Sequence, residues 1–178
     1  IIPASLDLVD TAGLVKGASQ GEGLGNAFLS NIREMNALAH VVRCFEDENI
    51  THIDGSINPV RDAEIINLEL ILADLETVMK RLAKCEKLIK SNDKDNKLEH
   101  DLLLAIKNDL DAGNLINISK FTDEEKIIVK SFQLLSSKPT FYIANISDNG
   151  SSVEMFNQLE HFAKKSGCIV IPTCIKIE

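Results

Sequence analysis

The apolar positions of the chain follow two spacings, one typical of strands and one of helices. Short apolar runs of the strand type cover residues 1–10, 40–45, 140–146 and 168–173. The stretches between them carry apolar residues at steps of three and four, as amphipathic helices do. Strands that alternate with helices predict an α/β fold with a mostly parallel sheet and helices on both faces. Ligands of such folds bind beyond the carboxyl ends of the strands.

The middle of the chain carries a longer helical repeat. Its apolar residues alternate spacings of four and three, which is the pattern of a coiled-coil seam. The positions are Leu68, Leu72, Leu75, Met79, Leu82 and Ile89, with Glu86 standing where an apolar residue is expected. A second helix follows the polar stretch 91–96, can end at Gly113, and carries Leu102, Leu103, Ile106 and Leu110. This arrangement predicts an antiparallel helical hairpin, and two ordinary helices of the main core are the alternative.

Capping signals mark the helices of the last third. Two pairs have the spacing of a capping box, in which each side chain bonds the backbone N–H of the other residue: Thr122 with Glu125, and Ser151 with Glu154. The first pair predicts a helix that runs to about residue 135. The second predicts a helix that ends near Gly167.

A glycine-rich loop follows the first strand-like run. The stretch "DTAGLVKGASQGEGLGN" holds five of the nine glycines but fits neither the phosphate-loop pattern nor the dinucleotide fingerprint. Asp10 instead stands at the end of an apolar run, where a carboxylate holds Mg²⁺ in nucleotide hydrolases. Gly13, three residues later, lets a backbone N–H approach a γ-phosphate because it has no Cβ. An ordinary turn after a strand is the alternative for this short pattern.

The longer string "DTAGLVKGASQGEGLGNAFLSNIRE" resembles the second switch of the Obg-type P-loop GTPases. The strings "HVVRCFED", "NPVRDAEIINLELILADLE" and "FYIANISD" are similar to the Obg-like ATPase, or YchF, family, and matching stretches continue to "IPTCIKIE". The resemblance implies a phosphate loop before this chain, a G domain interrupted by a helical hairpin, and a TGS domain after it. We therefore expect two parts of a G domain at 1–58 and 119–178, with the hairpin inserted at 59–118.

The loop after the third strand-like run is expected to read the nucleotide base. GTPases recognise guanine with an NKxD loop, whereas this chain has Asn145, Ile146, Ser147 and Asp148. The resemblance implies an NxxE loop and a preference for ATP; Ile146 agrees with it and Asp148 departs from it. We expect ATP to bind, with GTP also accepted, and a plain turn is the alternative for the loop. Backbone groups of Thr173 and Cys174 are expected to complete the base site.

The switch loop lacks the glutamine that orients water in Ras-like enzymes, because Leu14 stands there. A histidine suits this task near neutral pH, and the chain has His40, His52, His100 and His161. The resemblance points to His40; a histidine that only packs at the start of a strand is the alternative. The remaining loop glycines are expected to let the switch rearrange; they are Gly17, Gly21, Gly23 and Gly25. A helix over about 25–39 is expected to follow the loop.

Charge and composition narrow the class of protein. The formal net charge of −8 argues against a protein that coats a nucleic-acid duplex. A local basic patch at the end of the first hairpin helix could still contact phosphates of a ribosome or an RNA, and a solvated helix face is its alternative. The patch is Lys80, Arg81, Lys84, Lys87 and Lys90. No apolar run reaches the roughly eighteen residues of a membrane span, and the four cysteines form no CxxC pair, as in reduced cytoplasmic proteins.

These features, and what the resemblance to the YchF family implies, together predict a nucleotide-hydrolysing switch protein. It would bind ATP, and also GTP, with Mg²⁺, hydrolyse it to the diphosphate, and act with the ribosome in the cytoplasm. The alternatives are an Obg-type GTPase that prefers GTP, and a ribosome- or RNA-binding module that works through the hairpin. Because no phosphate loop lies within residues 1–178, we expect this stretch to be inactive when isolated.

Overall fold

The structure is a computed structural model and describes residues 6–10, 24–46, 56–88, 94–147 and 152–174. Five helices and three strands lie within these ranges. The helices are α1 (Leu24–Glu34), α2 (Pro59–Leu88), α3 (Lys94–Asp111), α4 (Asp123–Ser131) and α5 (Val153–Lys165). The strands are β1 (Leu38–Arg43), β2 (Thr140–Asn145) and β3 (Val170–Thr173), and a 3₁₀ turn spans Ile118–Lys120.

The three strands form one parallel sheet with β2 in the centre. The predicted α/β class with a parallel sheet is therefore confirmed. Helix α1 ends at Glu34, five residues before the expected end of this helix, because the chain already enters β1 at Leu38. This strand accordingly begins two residues earlier than its apolar run indicated.

Helices α2 and α5 pack on one face of the sheet. A buried cluster joins Val42 and Tyr142 of the sheet to Ala63 of α2 and Leu159 of α5. Because side chains alternate between the two faces along a strand, Val41 and Ile171 point to the opposite face of the sheet. There the two residues are 54% and 43% exposed, respectively.

Residues 6–10 were expected to end a buried strand, and this expectation is wrong. The structure assigns them no strand, and Leu6 and Leu8 are each 82% exposed. An apolar sequence becomes a strand only where a neighbouring backbone satisfies its N–H and C=O groups. Residues 6–10 pair with none of the three described strands.

Helices α2 and α3 pack along each other as an antiparallel pair. An ion pair between Arg81, late in α2, and Glu99, early in α3, fixes this direction. The four apolar residues predicted to line the second helix are all buried against the first: Leu102, Leu103, Ile106 and Leu110. Gly113 follows α3 with a φ of +75°, as a helix-ending glycine does.

The predicted seam of α2 is displaced for three of its six members, and a fourth, Ile89, lies outside the described residues. Leu68, Leu72 and Met79 were expected in the seam but lie on the exposed side. The buried seam instead contains Ile71, Val78, Leu82 and Cys85, with Leu75 partly buried beside them. Cys85 thereby takes the place where Glu86 interrupted the expected repeat. Apolar residues fill both registers over the first half of this helix, so the packing of α3 and α1 decides between them.

One of the two capping boxes is present. The Thr122 hydroxyl accepts from the Glu125 N–H, and the Glu125 carboxylate accepts from the Thr122 N–H at 2.8 Å. Helix α4 ends at Ser131, earlier than expected. Helix α5 has Ser152 as its N-cap, whereas Ser151, which was expected to form the second box, lies outside the described residues.

The start of β2 is fixed by a buried carboxylate on α2. Asp74 is fully buried and accepts three hydrogen bonds, from Leu135 N–H at 2.8 Å and from Ser136 N–H and Oγ at 2.7 Å each. Burial raises the pKa of Asp74, while these hydrogen bonds and the charge of Arg33 act in the opposite direction. The carboxylate thus joins the middle of α2 to the segment that leads into the sheet.

The end of α1 is tied to the same region. Arg33 donates to Thr77 Oγ1 of α2 and to the Gln133 carbonyl, both at 3.0 Å. Lys138 donates to the carbonyls of Arg33 and Met35. The helix that follows the glycine-rich loop is therefore joined at its far end to both α2 and the lead-in to β2. No helix in the described ranges is long and apolar enough to cross a membrane.

Candidate functional site: the carboxyl edge of the sheet

The three strands reach the same edge of the sheet together. Arg43, Asn145 and Thr173 lie side by side in the register at this edge. Two further backbone bonds continue the ladder beyond it: Cys44 N–H donates to the Asn145 carbonyl at 2.8 Å, and Ile146 N–H donates to the Thr173 carbonyl at 2.9 Å. The predicted base-contacting residues of β2 and β3 are therefore adjacent in the fold.

A cavity of about 350 Å³ opens at this edge beneath the start of α5. Its volume is at the lower end of the range for small-molecule pockets, and most of its walls are apolar. The lining residues are Ile146, Ser147, Ser152, Val153, Phe156, Pro172 and Cys174. A flat, largely apolar ring with a few polar edges is the type of group that such a cavity accommodates.

Strand alternation separates the predicted base-site residues into two sets. Ile146 and Cys174 line the cavity, on the face that α5 covers. Asn145 and Thr173 precede them by one residue, so their side chains are directed to the opposite face. Of these four residues, only Ile146 and Cys174 line the cavity.

Four lining residues were missed by the sequence reasoning: Ser152, Val153, Phe156 and Pro172. Phe156 could have been found, because it stands one helical turn after the start of α5, on the side that must face the sheet. Pro172 could also have been found, because it lies two residues before Cys174 in an extended segment and therefore points to the same face of the sheet. Ser152 gave no signal of its own, because Ser151 carried the expected capping spacing.

His40 lies in the middle of β1 rather than at the carboxyl edge. Its ring packs 5.4 Å from that of Tyr142, centroid to centroid, on the face that α2 and α5 cover. Burial lowers the pKa of His40 to about 4, although the negative charge of Asp62 acts in the opposite direction. Three residues, or about 10 Å of strand, separate it from Arg43. This environment favours the packing interpretation of His40 over the water-orienting one, which stays a prediction.

Asp10 is exposed in the structure. A carboxylate is the donor type that Mg²⁺ takes, and Mg²⁺ is commonly held by one or two carboxylates together with substrate phosphates and water. Asp10 therefore fits as a single protein ligand. The other predicted switch, phosphate and base-reading positions lie outside the described residues or have undescribed side chains there: Gly13, Leu14, Gly17, Gly21, Gly23, Gly25 and Asp148.

The predicted basic patch is smaller in the structure than in the sequence. Arg81 is engaged in packing: it pairs with Glu99, donates to the Ser131 carbonyl at 3.0 Å and lies over the Phe132 ring. Lys80, Lys84 and Lys87 are exposed and share one face of α2 at steps of four and three, and Lys80 pairs with Glu76. Lys90 lies outside the described residues.

A larger and more open groove of about 990 Å³ runs between the start of α2 and α5. Asn58, Arg61, Glu64 and His161 are among its lining residues. It contains none of the predicted site residues. The smaller cavity at the strand ends is therefore the better candidate for the ligand site.

Comparisons with known proteins show what the chain resembles. A family model described as a 50S ribosome-binding GTPase matches residues 2–73. The ribosome-binding ATPase YchF of Bacillus subtilis (strain 168) is 45% identical over 99% of this chain and 50% of its own length. The protein of the same name from Escherichia coli O157:H7 is 43% identical over 99% of this chain and 49% of its own length. The chain thus spans about half the length of the curated relatives it matches.

A solved structure is also similar. The structure of the Schizosaccharomyces pombe YchF GTPase matches with a TM-score of 0.74 and 31% identity, over 89% of this chain and 45% of that one. The resemblance to the Obg-like ATPase, or YchF, family is therefore confirmed, and it extends over essentially the whole chain.

Proposed function

We propose that this chain, which matches YchF proteins over its whole length, supplies the switch and the base-binding cavity of a nucleotide-hydrolysing protein that acts with the ribosome. The observation that carries the proposal is the cavity at the carboxyl edge of β2 and β3. Ile146 and Cys174, both expected from the sequence to contact a base, line it. In open α/β sheets this edge is where ligands bind.

The cavity would bind the adenine of ATP preferentially and would also accept the guanine of GTP. Ile146 replaces the lysine of the guanine-reading loop, and an apolar side chain beside the cavity suits either purine. Asp148 keeps the carboxylate that reads guanine, which is why GTP is expected to retain some affinity. The relatives' names include both an ATPase and a GTPase, so the preference has to be measured on this protein.

The phosphate end of the nucleotide would lie next to Asp10 and Gly13. Asp10 would be the protein's carboxylate ligand to Mg²⁺, and a Gly13 N–H would approach the γ-phosphate without a Cβ in the way. When bound, Mg²⁺ neutralises charge that develops on the phosphate oxygens. The glycines at 17, 21, 23 and 25 would let the loop change shape between nucleotide states.

Water orientation requires a group other than Leu14, whose side chain forms no hydrogen bonds. His40 is the candidate proposed from the sequence, and its position inside β1 would require it to act at a distance or after a rearrangement of β1. A His40 variant that hydrolyses ATP at the normal rate would leave this histidine with a packing role alone.

The hairpin of α2 and α3 would contact the ribosome, as an insertion at 59–118 in the G domain. Support comes from the exposed face formed by Lys80, Lys84 and Lys87, because lysines at such spacing can meet several backbone phosphates. A protein that works with ribosomes acts in the cytoplasm, which is the location we propose.

Nucleotide competition on the full-length protein tests the proposal. ATP should displace a bound fluorescent ATP analogue at least as well as GTP, and Ile146→Lys should shift the preference towards GTP. A wild-type protein that binds GTP tenfold more tightly, a difference of about 1.4 kcal/mol, would contradict the ATPase assignment. It would favour an Obg-type GTPase instead.

A further inference from the structure

Ser152 uses its side chain in an unusual way for its position. It is the N-cap of α5 and only 4% exposed, yet its side chain makes no capping hydrogen bond to the helix. A serine at this position normally accepts from an N–H of the first helical turn. The Ser152 Oγ instead accepts from the backbone N–H of Ser147, at 2.9 Å.

This hydrogen bond holds the loop that is expected to read the base. Ser147 is the second residue after β2, and Asp148, the expected base-reading carboxylate, is the next residue in the chain. On the other side, Ile146 N–H donates to the Thr173 carbonyl of β3. The described part of the loop is therefore tied to β3 on one side and to α5 on the other.

Both ends of the tie also form the wall of the strand-end cavity. Ser147 and Ser152 line it together with Phe156, whose N–H donates to the Ser152 carbonyl at 2.9 Å. A shift of Ser147 away from Ser152 would change the width of the cavity between the loop and α5. The hydroxyl of one residue thus sets the spacing between two walls.

We propose that Ser152 is a positioning residue for base recognition, because its hydroxyl fixes the backbone of Ser147 and with it the geometry of the strand-end cavity. The inference rests on the proposed nucleotide function. It predicts that Ser152 affects the binding of the base and leaves the binding of the triphosphate unchanged. A serine that only stabilises the fold would affect both ligands alike or neither.

The test compares two ligands on the full-length protein. Affinity is measured for ATP and for inorganic tripolyphosphate, which lacks a base, with wild type, Ser152→Ala and Ser152→Gly. Glycine is itself a favourable N-cap residue, so it separates loss of the tie from loss of helix stability. Ser152→Thr retains the hydroxyl, and Ser166→Ala, at the other end of α5, is the control.

Both Ser152→Ala and Ser152→Gly should weaken ATP binding about tenfold and change tripolyphosphate binding less than twofold. Ser152→Thr and Ser166→Ala should bind both ligands as wild type does. Unchanged ATP affinity in the Ala and Gly variants, or equal losses for the two ligands, would overturn the role of Ser152 alone. A wild-type protein that binds no ATP would contradict the proposed function as well as this inference.

Discussion

Asp74 brings a carboxylate into the interior of the molecule, where Leu135 and Ser136 donate three hydrogen bonds to it. A buried carboxylate is costly unless its oxygens are paired in this way. Sequence pattern does not predict this role, because an aspartate in a charged helix is most often exposed. Only the path of the chain after α4 brings the N–H groups of residues 135 and 136 to it.

Replacing Asp74 should destabilise the protein strongly. Asp74→Ala leaves three buried donors without this acceptor, so we expect a loss of about 3 kcal/mol in the free energy of unfolding. Asp101→Ala, on the exposed side of α3, should change it by no more than about 0.5 kcal/mol. Denaturant unfolding of both variants measures the difference. Equal losses would show that Asp74 does not anchor the lead-in to β2.

His40 should make stability depend on pH. Its pKa in the folded protein, about 4, lies below its ordinary value of 6.5, so between these values the unfolded chain binds the proton and the folded chain does not. Its contribution is complete above pH 6.5 and is lost as pH falls towards 4. The contribution amounts to at most roughly 3.5 kcal/mol at about 1.4 kcal/mol per pKa unit.

Urea unfolding of wild type and His40→Gln at pH 7.5, 5.5 and 4.5 checks this expectation. The variant should lose less stability than wild type on acidification. Parallel losses over this range would mean that the imidazole is protonated as readily in the folded state as in the unfolded chain, and the buried environment would then be wrong.

For the helices and strands, the sequence pattern predicted which elements form better than how those elements pack and pair. Local residue spacing was enough to predict the helices, the parallel strands, the Thr122–Glu125 capping box and Gly113 at the end of α3. These features depend mainly on residues that are close together in the chain. The register of α2 could not be predicted in this way, because this helix packs on α1, α3, α5 and the sheet and carries apolar residues in both candidate registers. Residues 6–10 also have the apolar pattern of a strand but form none. Whether a segment pairs into a sheet depends on a neighbouring strand, and the pattern of the segment itself contains no information about that neighbour.

The register of α2 can be tested with two neighbouring residues. Ile71 is 3% exposed and packs in the hairpin core, whereas Leu72 is 40% exposed. Ile71→Ala should cost about 2 to 5 kcal/mol, as core truncations to alanine do, and Leu72→Ala should cost less than about 1 kcal/mol. Thermal and denaturant unfolding provide the values. A larger loss for Leu72→Ala would restore the register expected from the sequence.

Across the whole molecule, α2 connects two regions that are expected to have different partners. Ala63, near its start, packs in the core beneath the sheet. Lys87 lies 24 residues further along, about 36 Å at the rise of an α-helix. The core beneath the sheet and the candidate ribosome contact therefore lie at opposite ends of one helix. The base cavity could be located from the sequence only through the strand ends that border it.

The exposed lysine face should contribute a salt-dependent part of ribosome binding. Lys84→Glu with Lys87→Glu should weaken binding at low salt and make the dependence of log K on log salt concentration shallower by about one to two units. Lys164→Glu with Lys165→Glu makes the same change in charge on α5. Sedimentation of the full-length variants with ribosomes over a salt series measures both. Equal effects of the two pairs would assign the loss to overall charge.

Cysteine labelling tests the central claim, the position of the nucleotide base, most directly. Cys174 lines the strand-end cavity, whereas Cys168 lies before the amino end of β3 in the same protein. Alkylation of the full-length protein, followed by mass spectrometry, gives the rate at each cysteine with and without ATP. Saturating ATP should slow the labelling of Cys174 at least tenfold and leave Cys168 within twofold. Labelling of Cys174 at the same rate with ATP bound would contradict the account, because the base would then occupy another site.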